Sequence, residues 1–375
     1  MTSSGSVTDG SALTVGRATV EVFRIYDVAE EIDLVAVESL LVQQQPVARI
    51  RLQRVAPKSI AFGDPPVVTD LVAPPLDVGG VRALTRASAR IYGFGAISLS
   101  LEVVMPGAME WPGFERFARE AEREAALLPF WRTGLERLLT VLAPALESPL
   151  SSYMEEDYCV VTVRSLEPAT TAEELMQRVD LIPLLTQEPK PLGPAARRDV
   201  FRYTHSYYRD DLVILTWDRA FVLEPSEDDD IADLLEVANA QLLELRYYDA
   251  LLDSELPDTY RQAAEVRTAN ALFSRRYSRA ANQMRALVAE VTEITEKVDN
   301  ALKVTEDVYL ARVYSSALEL FRVRYWAESI DRKLALIRDT YTALYDEAMA
   351  TRAEWLEAAI VFLIVLEIVM AFVFT

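Results

Sequence analysis

Hydrophobic period changes at Pro225. Before it, short runs rich in β-branched and aromatic residues alternate with polar ones, punctuated by proline and glycine; after it, apolar residues recur every three or four positions almost without a break. A chain patterned this way builds a strand-containing head first and a helical region second, so the expected fold class is α+β. At 375 residues it can hold two separate cores, and its 51 % hydrophobic content supplies them.

Within the head, ATVEVFRIY (18–26) predicts a strand and YDVAEEIDLVAVESLL after it a helix. ARIRLQRV from Ala48 and ARIYGFGAISLSLEVV from Ala89 predict further strands, with PPVVTDLVAPPLDVGG between them as loop or edge. A helix is expected from about Phe114 to about Leu142. DYCVVTVRSL, TTAEELMQRV and DLVILTWDRAFVLEP then repeat the order strand, helix, paired strands. The mixed α/β head, 17–224, therefore has candidate duplicated strand-helix-strand units at 17–147 and 152–224. Residues 1–16 have neither the charged start and apolar run of a secretory signal nor the arginines of a transit peptide, and read as a disordered lead.

Residues 225–354 form the expected helical region. Ser226 and Asp229 have the spacing of a capping box, and Glu227 to Asp230 put negative charge on the positive end of the helix dipole. That accounts for the acidic cluster without a metal. Pro257 is expected to end this first helix. Leu287, Val291, Ile294, Val298 and Leu302 then advance in near-heptad steps, as do Trp326, Ile330, Leu334, Ile337, Tyr341, Leu344 and Ala348. The expected result is a long antiparallel helical hairpin, a coiled-coil stalk turning near Lys303 to Asp307. Its second limb, Asp307 to Arg352, would be roughly 65 to 70 Å long.

The chain ends in WLEAAIVFLIVLEIVMAFVFT (355–375), in which Ala358 to Phe374 carries one charge, Glu367. An in-plane amphipathic helix needs a broad charged face, and this segment has none, so the pattern favours a C-terminal transmembrane helix over an interfacial one. Trp355 would be its interface anchor, and the basic residues on its N-terminal side would leave the bulk of the chain on the cytoplasmic side of a single-pass tail anchor. A carboxylate at mid-bilayer costs about 2.5 to 3.5 kcal/mol, so Glu367, with Ala371 one turn on, is expected to contact a neighbouring helix.

LEAAIVFLIVLEIV (Leu356 to Val369) resembles the C-terminal signature of the required-for-meiotic-nuclear-division family, in which a leucine-glutamate pair opens an apolar stretch holding a second glutamate. Glu357 and Glu367 stand at the matching positions, and ANAQLLELRYYDALL (238–252) is similar to the family's helical region. Ala358 stands where the family typically has tryptophan. The resemblance implies a membrane-anchored scaffold or tether with no established enzymatic activity, whose mitochondrial members support organelle translation.

Motifs for chemistry are sparse. Cys159 is the single cysteine and His205 the single histidine, so no disulfide framework, cysteine zinc site or histidine cluster can be built. YGFGA (92–96) lacks the third glycine of a dinucleotide fingerprint. No cofactor is implied. A net charge of -20 disfavours a general nucleic-acid binder, although RRDVFRYTHSYYR (197–209) interleaves arginine with tyrosine in a way that suits single-stranded RNA. Arginines 261, 267, 275, 276, 279 and 285 form a second basic run, with Arg275, Arg276 and Arg279 expected to meet anionic lipid or the acids of the facing helix. The sequence thus points to a non-enzymatic, self-associating scaffold. Its expected partners are membrane lipid, further copies of itself and an unnamed protein; an enzyme with an unrecognised site in the head is the alternative.

Overall fold

Alternation over Thr14–Asp27 makes one long strand, and that strand is the spine of the head. The computed structural model describes residues 13–44, 53–54, 61–62, 65–188, 190–226, 229–268, 285, 288–289, 291–292, 302–303 and 307–373. In chain order the elements of the head are β1 (Thr14–Asp27), β2 (Ala29–Ile32), α1 (Leu34–Gln44), β3 (Gln53–Arg54), β4 (Ala61–Phe62), β5 (Val67–Leu71), β6 (Leu76–Val78), β7 (Val81–Ile91), β8 (Ala96–Val104) and β9 (Met109–Glu110). They continue with α2 (Trp111–Ala121), α3 (Glu124–Leu142), β10 (Leu146–Pro149), β11 (Glu155–Glu167), α4 (Ala172–Arg178), α5 (Ile182–Thr186), α6 (Pro194–Val200), β12 (Tyr203–His205), β13 (Leu212–Leu215) and β14 (Arg219–Leu223). The rest is α7 (Asp230–Thr268), β15 (Leu302–Lys303), α8 (Val308–Leu320) and α9 (Val323–Val373).

The main sheet has eleven strands among the described residues, in the order β12-β13-β14-β11-β1-β8-β7-β5-β3, with β6 on β7 and β9 on β1. β1 pairs antiparallel with both β11 and β8, while β11 pairs parallel with β14. The two candidate halves therefore meet in one continuous sheet and differ in strand direction. Gly95 in the β7–β8 turn has φ +110°, and a Cβ there would sit 1.9 Å from the Ala29 carbonyl oxygen, so only glycine lets β2 pass this close. That turn is the structural use of YGFGA: Val28 N–H donates to Gly95 O and Ile32 N–H to Gly93 O.

Pleating gives the sheet two different faces. Val20, Val22, Ile97, Leu99, Leu101, Ala89, Cys159, Val161 and Phe221 share the first, a continuous apolar core with α1, α2, α3 and α5 that includes Trp131, Phe114 and Leu185. Glu21, Phe23, Ile25 and Asp27 point to the second, with Ser98, Ser100 and Glu102 from β8, Arg90 from β7 and Tyr158 from β11 at neighbouring register positions.

Contacts divide the chain into two units, 1–244 with 298–323, and 245–297 with 324–375. In the first, residues 234–244 of α7 are buried on every side, polar residues included. In the second, Ile330, Leu334 and Ile337 are buried, as are Tyr248 and Leu252 of α7. Lys333 Nζ lies 2.7 Å from Asp249 and 2.6 Å from Asp253, and the Arg246 guanidinium lies 6.0 Å from the centre of the Trp326 ring.

Four expectations are corrected here. The fold is a large mixed sheet with helices, and a long antiparallel hairpin is not shown. Leu302–Lys303 is a strand paired with Ala61–Phe62, and the run from Asp307 is interrupted at Phe321–Arg322, where Arg322 takes φ +53°. The described partner of α9 is α7, with 246 beside 326 and 249–253 beside 333, so the two advance in the same direction; heptad steps mark a buried stripe but carry neither partner nor direction. α7 also runs on through Pro257 and starts at Asp230, a turn later than expected, with Asp229 ion-paired to Arg164. Finally, no helix among the described residues is long and apolar enough to cross a membrane. Within α9 the apolar run from Ala358 to Val373 is shorter than the roughly 20 residues of a span, and Glu367 interrupts it. The transmembrane helix, the tail anchor and the single-pass membrane localisation with its cytoplasmic-side body are corrected on that ground.

Candidate functional site

Charged residues on the second face of the sheet are covered by the first part of α7. Asp233, Glu236, Ala240 and Glu244 follow one another at steps of three, four and four, which places them on one stripe of the helix. Arg90 of β7 answers the first two: Nη2 lies 2.6 Å from Asp233 Oδ1 and Nη1 lies 2.9 Å from Glu236 Oε2. Ser100 Oγ donates to Glu21 at 2.5 Å, and Arg86 pairs with Glu102 at 3.0 Å. Two further polar residues of α7 are satisfied: Asn239 donates to the Leu235 carbonyl of its own helix at 2.8 Å and Gln241 accepts from Tyr314 of α8 at 3.1 Å.

This layer holds more acids than cations, and the proton affinities follow. Burial pushes Glu21 up to about 8, opposed by the Ser100 hydrogen bond and assisted by Glu236 and Asp233. Burial also raises Glu236, with Arg90 holding it down. Asp27, the last residue of β1, is pushed up to about 7 by burial. Glu244 is raised well above the carboxylate range by burial and by Asp27 beside it. Asp27 Oδ2 and both Glu244 carboxyl oxygens are buried without a hydrogen-bond partner. Among the described residues no group of three or more His, Cys, Asp or Glu could hold a metal ion.

A cavity of about 440 Å³ lies on the opposite, apolar face, bounded by Leu41, Leu71, Pro74, Phe130, Leu138 and Val141, with Arg137 and Asp70 also lining it. The carboxylate layer does not reach it. Acidic side chains with raised proton affinity and this cavity are therefore on different sides of the sheet.

The second feature is the end of α9. Ten apolar side chains from Ile360 to Met370 are 46–64 % exposed, and Glu367 within the run and Glu357 just before it are exposed too. Every position from 357 to 370 is open, so the surface is apolar around the whole helix. Large exposed apolar patches mark interaction sites.

Other expected site residues fall as follows. Trp355 and Ala371 lie on the backbone of α9 with side chains outside the described residues, and Arg275, Arg276 and Arg279 are outside them altogether. In the arginine–tyrosine stretch, Arg197 pairs with Asp180 and Arg202 with Glu319, while Tyr207 and Tyr208 are exposed. His205 is on β12, its proton affinity lowered by burial and by Arg312. Cys159 is buried on the apolar face, its thiol pushed up by burial and Glu122. The carboxylate layer was missed from sequence. Its one sequence signal is the set Glu236, Asn239, Gln241 and Glu244 inside an otherwise apolar stretch of α7.

A strand-rich head of mixed pairing, roofed by a buried helix with acids on one stripe, is the class of domain these observations define. The chain belongs to the family described as "Uncharacterized protein MJ0711, N-terminal domain", which matches residues 17–230. A relative from Methanocaldococcus jannaschii, "Uncharacterized protein MJ0711", is 27 % identical over 166 residues, 44 % of this chain and 50 % of the relative. The chain thus spans about half the length of the curated relative it matches. No solved structure matches. This overturns the expected membership in the required-for-meiotic-nuclear-division family: the match lies in the head, whereas that resemblance rested on the helical end, where apolar residues around a glutamate form a pattern of low information.

Proposed function

We propose that this protein is a non-catalytic scaffold that assembles with further copies of itself through the apolar end of α9. The observation that carries this reading is the ring of exposed apolar side chains from Ile360 to Met370. A helix that is apolar on all sides is stable in water only when covered. Covering the exposed half of each of these side chains contributes roughly 1 kcal/mol apiece. Summed over two or more chains this exceeds the association cost of about 4 to 15 kcal/mol. One flat contact covers one side of a helix, so the assembly is a bundle of three or more copies. Separation of the buried acids of raised proton affinity from the cavity supports the non-catalytic half of the reading, because a substrate lodged there does not meet them.

The test places a single thiol on the helix. In a Cys159→Ser background, Leu363→Cys should give a covalent dimer with a short bifunctional maleimide and a covalent trimer with a trifunctional one, while Glu188→Cys on the head should give neither. Equal, dimer-free patterns for the two positions would remove the basis for self-assembly.

A further inference from the structure

We propose that Asp27 and Glu244 hold one proton between them, and that this shared proton fastens the first part of α7 to the sheet and makes its seating respond to pH in the neutral range. Asp27 ends the spine strand and Glu244 lies on the stripe of α7 that faces it; each is 1 % exposed. Neither is solvated, and Asp27 Oδ2 and both carboxyl oxygens of Glu244 are buried without a hydrogen-bond partner. Two ionised carboxylates cannot sit together in such a place, whereas one carboxyl and one carboxylate can share a hydrogen bond.

The surrounding charges leave no other way to neutralise the pair. On β1 the nearest acid of the same face is Glu21, and on β8 it is Glu102, which is paired with Arg86 of β7. Arg90 of β7 is occupied by Asp233 and Glu236 of α7 itself. After β7 comes Tyr92, kept neutral by burial, and β11 brings Glu156 and Tyr158 to the same face. From α8 comes Tyr314, whose hydroxyl donates to Gln241. None of these is a spare cation. A bound metal ion would need more ligands than two carboxylates, and no such group is present among the described residues.

The consequence for α7 has a definite sign. The folded state binds the proton more tightly than the unfolded chain, so the contact is sound at mildly acidic pH and weakens as pH rises through the pair's titration. Loss of the proton leaves two buried negative charges on opposite sides of the helix–sheet seam, and the contact between α7 and the sheet loosens there.

Full-length parent, Glu244→Gln, Asp27→Asn and, as a control, Glu21→Gln would be compared from pH 5.5 to 8.5. Difference infrared spectra should show a protonated-carboxyl band lost in the neutral range in the parent, a smaller one lost in the same range in Glu21→Gln, whose own raised carboxyl contributes to the parent's band, and a further decrease when Glu244→Gln or Asp27→Asn is made in that Glu21→Gln background. Amide exchange over 236–244, corrected for intrinsic rates, should accelerate by up to about tenfold per pH unit above the titration in the parent and stay flat in either amide variant. An unchanged band in both amide variants, or pH-independent protection in the parent, overturns the proposal. So does a band that moves when a chelator is added, which would mean a metal ion holds the pair.

Discussion

Arg90 on β7 reaches the carboxylate of Asp233 at the start of α7 at 2.6 Å, across a sequence separation of 143 residues. The same guanidinium meets Glu236 one turn further on, so a single cation compensates two acids on the helix. The side chain of Arg90 is 12 % exposed and that of Glu236 is 5 % exposed, which makes this a buried contact whose partners suffer when one is removed.

Arg90→Ala should accordingly destabilise the head by about 3 to 5 kcal/mol, the usual cost of leaving a buried charge uncompensated. Urea unfolding at pH 7 measures it. The loss should shrink at pH 5, where Glu236, its proton affinity raised by burial, accepts a proton instead.

Glu21 gives a second test. Its carboxyl is raised from an ordinary 4.5 to about 8, so the folded state holds a proton that the unfolded chain has released by neutral pH. Stability should then fall as pH rises from about 4.5 to 8, with this group adding at most about 1.4 kcal/mol per pH unit. Thermal unfolding of Glu21→Gln against the parent should show a shallower decline across that window. Parallel curves would mean that Glu21 is ionised in the fold.

Gly95→Ala places a methyl group 1.9 Å from the Ala29 carbonyl oxygen at a φ of +110°. A loss of more than about 2 kcal/mol is expected, because strain and clash act together. Gly80→Ala, also at positive φ but with open space around its Cβ, should cost less in the same chemical unfolding series.

Local pattern carried part of this fold and not the rest. The hairpin of β13 and β14, the strand β11 and the Thr171–Glu174 capping box of α4 are all legible in DLVILTWDRAFVLEP, DYCVVTVRSL and TTAEELMQRV, because period and turn chemistry are short-range. The buried stripe of Ile330, Leu334 and Ile337 was legible for the same reason. Partner choice was not: that β1 lies between β11 and β8 is a long-range fact that alternation does not encode. The stop at Phe321–Arg322 has neither proline nor glycine to announce it; Arg322 itself adopts the left-handed conformation. The carboxylate layer was hidden because Glu21, Arg90 and Asp233 sit at positions that read as a solvated face until α7 is seen to cover them.

In the proposed assembly Glu367 falls inside the apolar contact, with a changed sign from the one a lipid setting would give. In water its exposed carboxylate opposes burial of the surrounding apolar ring, so association should strengthen as pH falls. Glu367→Gln should tighten association at pH 7.5 and remove most of its pH dependence, read from the dilution at which light scattering reports dissociation. A variant with the parent's dissociation point would show that Glu367 lies outside the contact.

Sedimentation velocity of the full chain beside a chain ending at Arg352, at equal concentration and neutral pH, bears most directly on the scaffold reading. The full chain should sediment as a species of three or more copies that dissociates on dilution, and the shortened chain as a monomer. A monomeric full chain, or the same oligomer from both, would contradict assembly through the apolar end of α9.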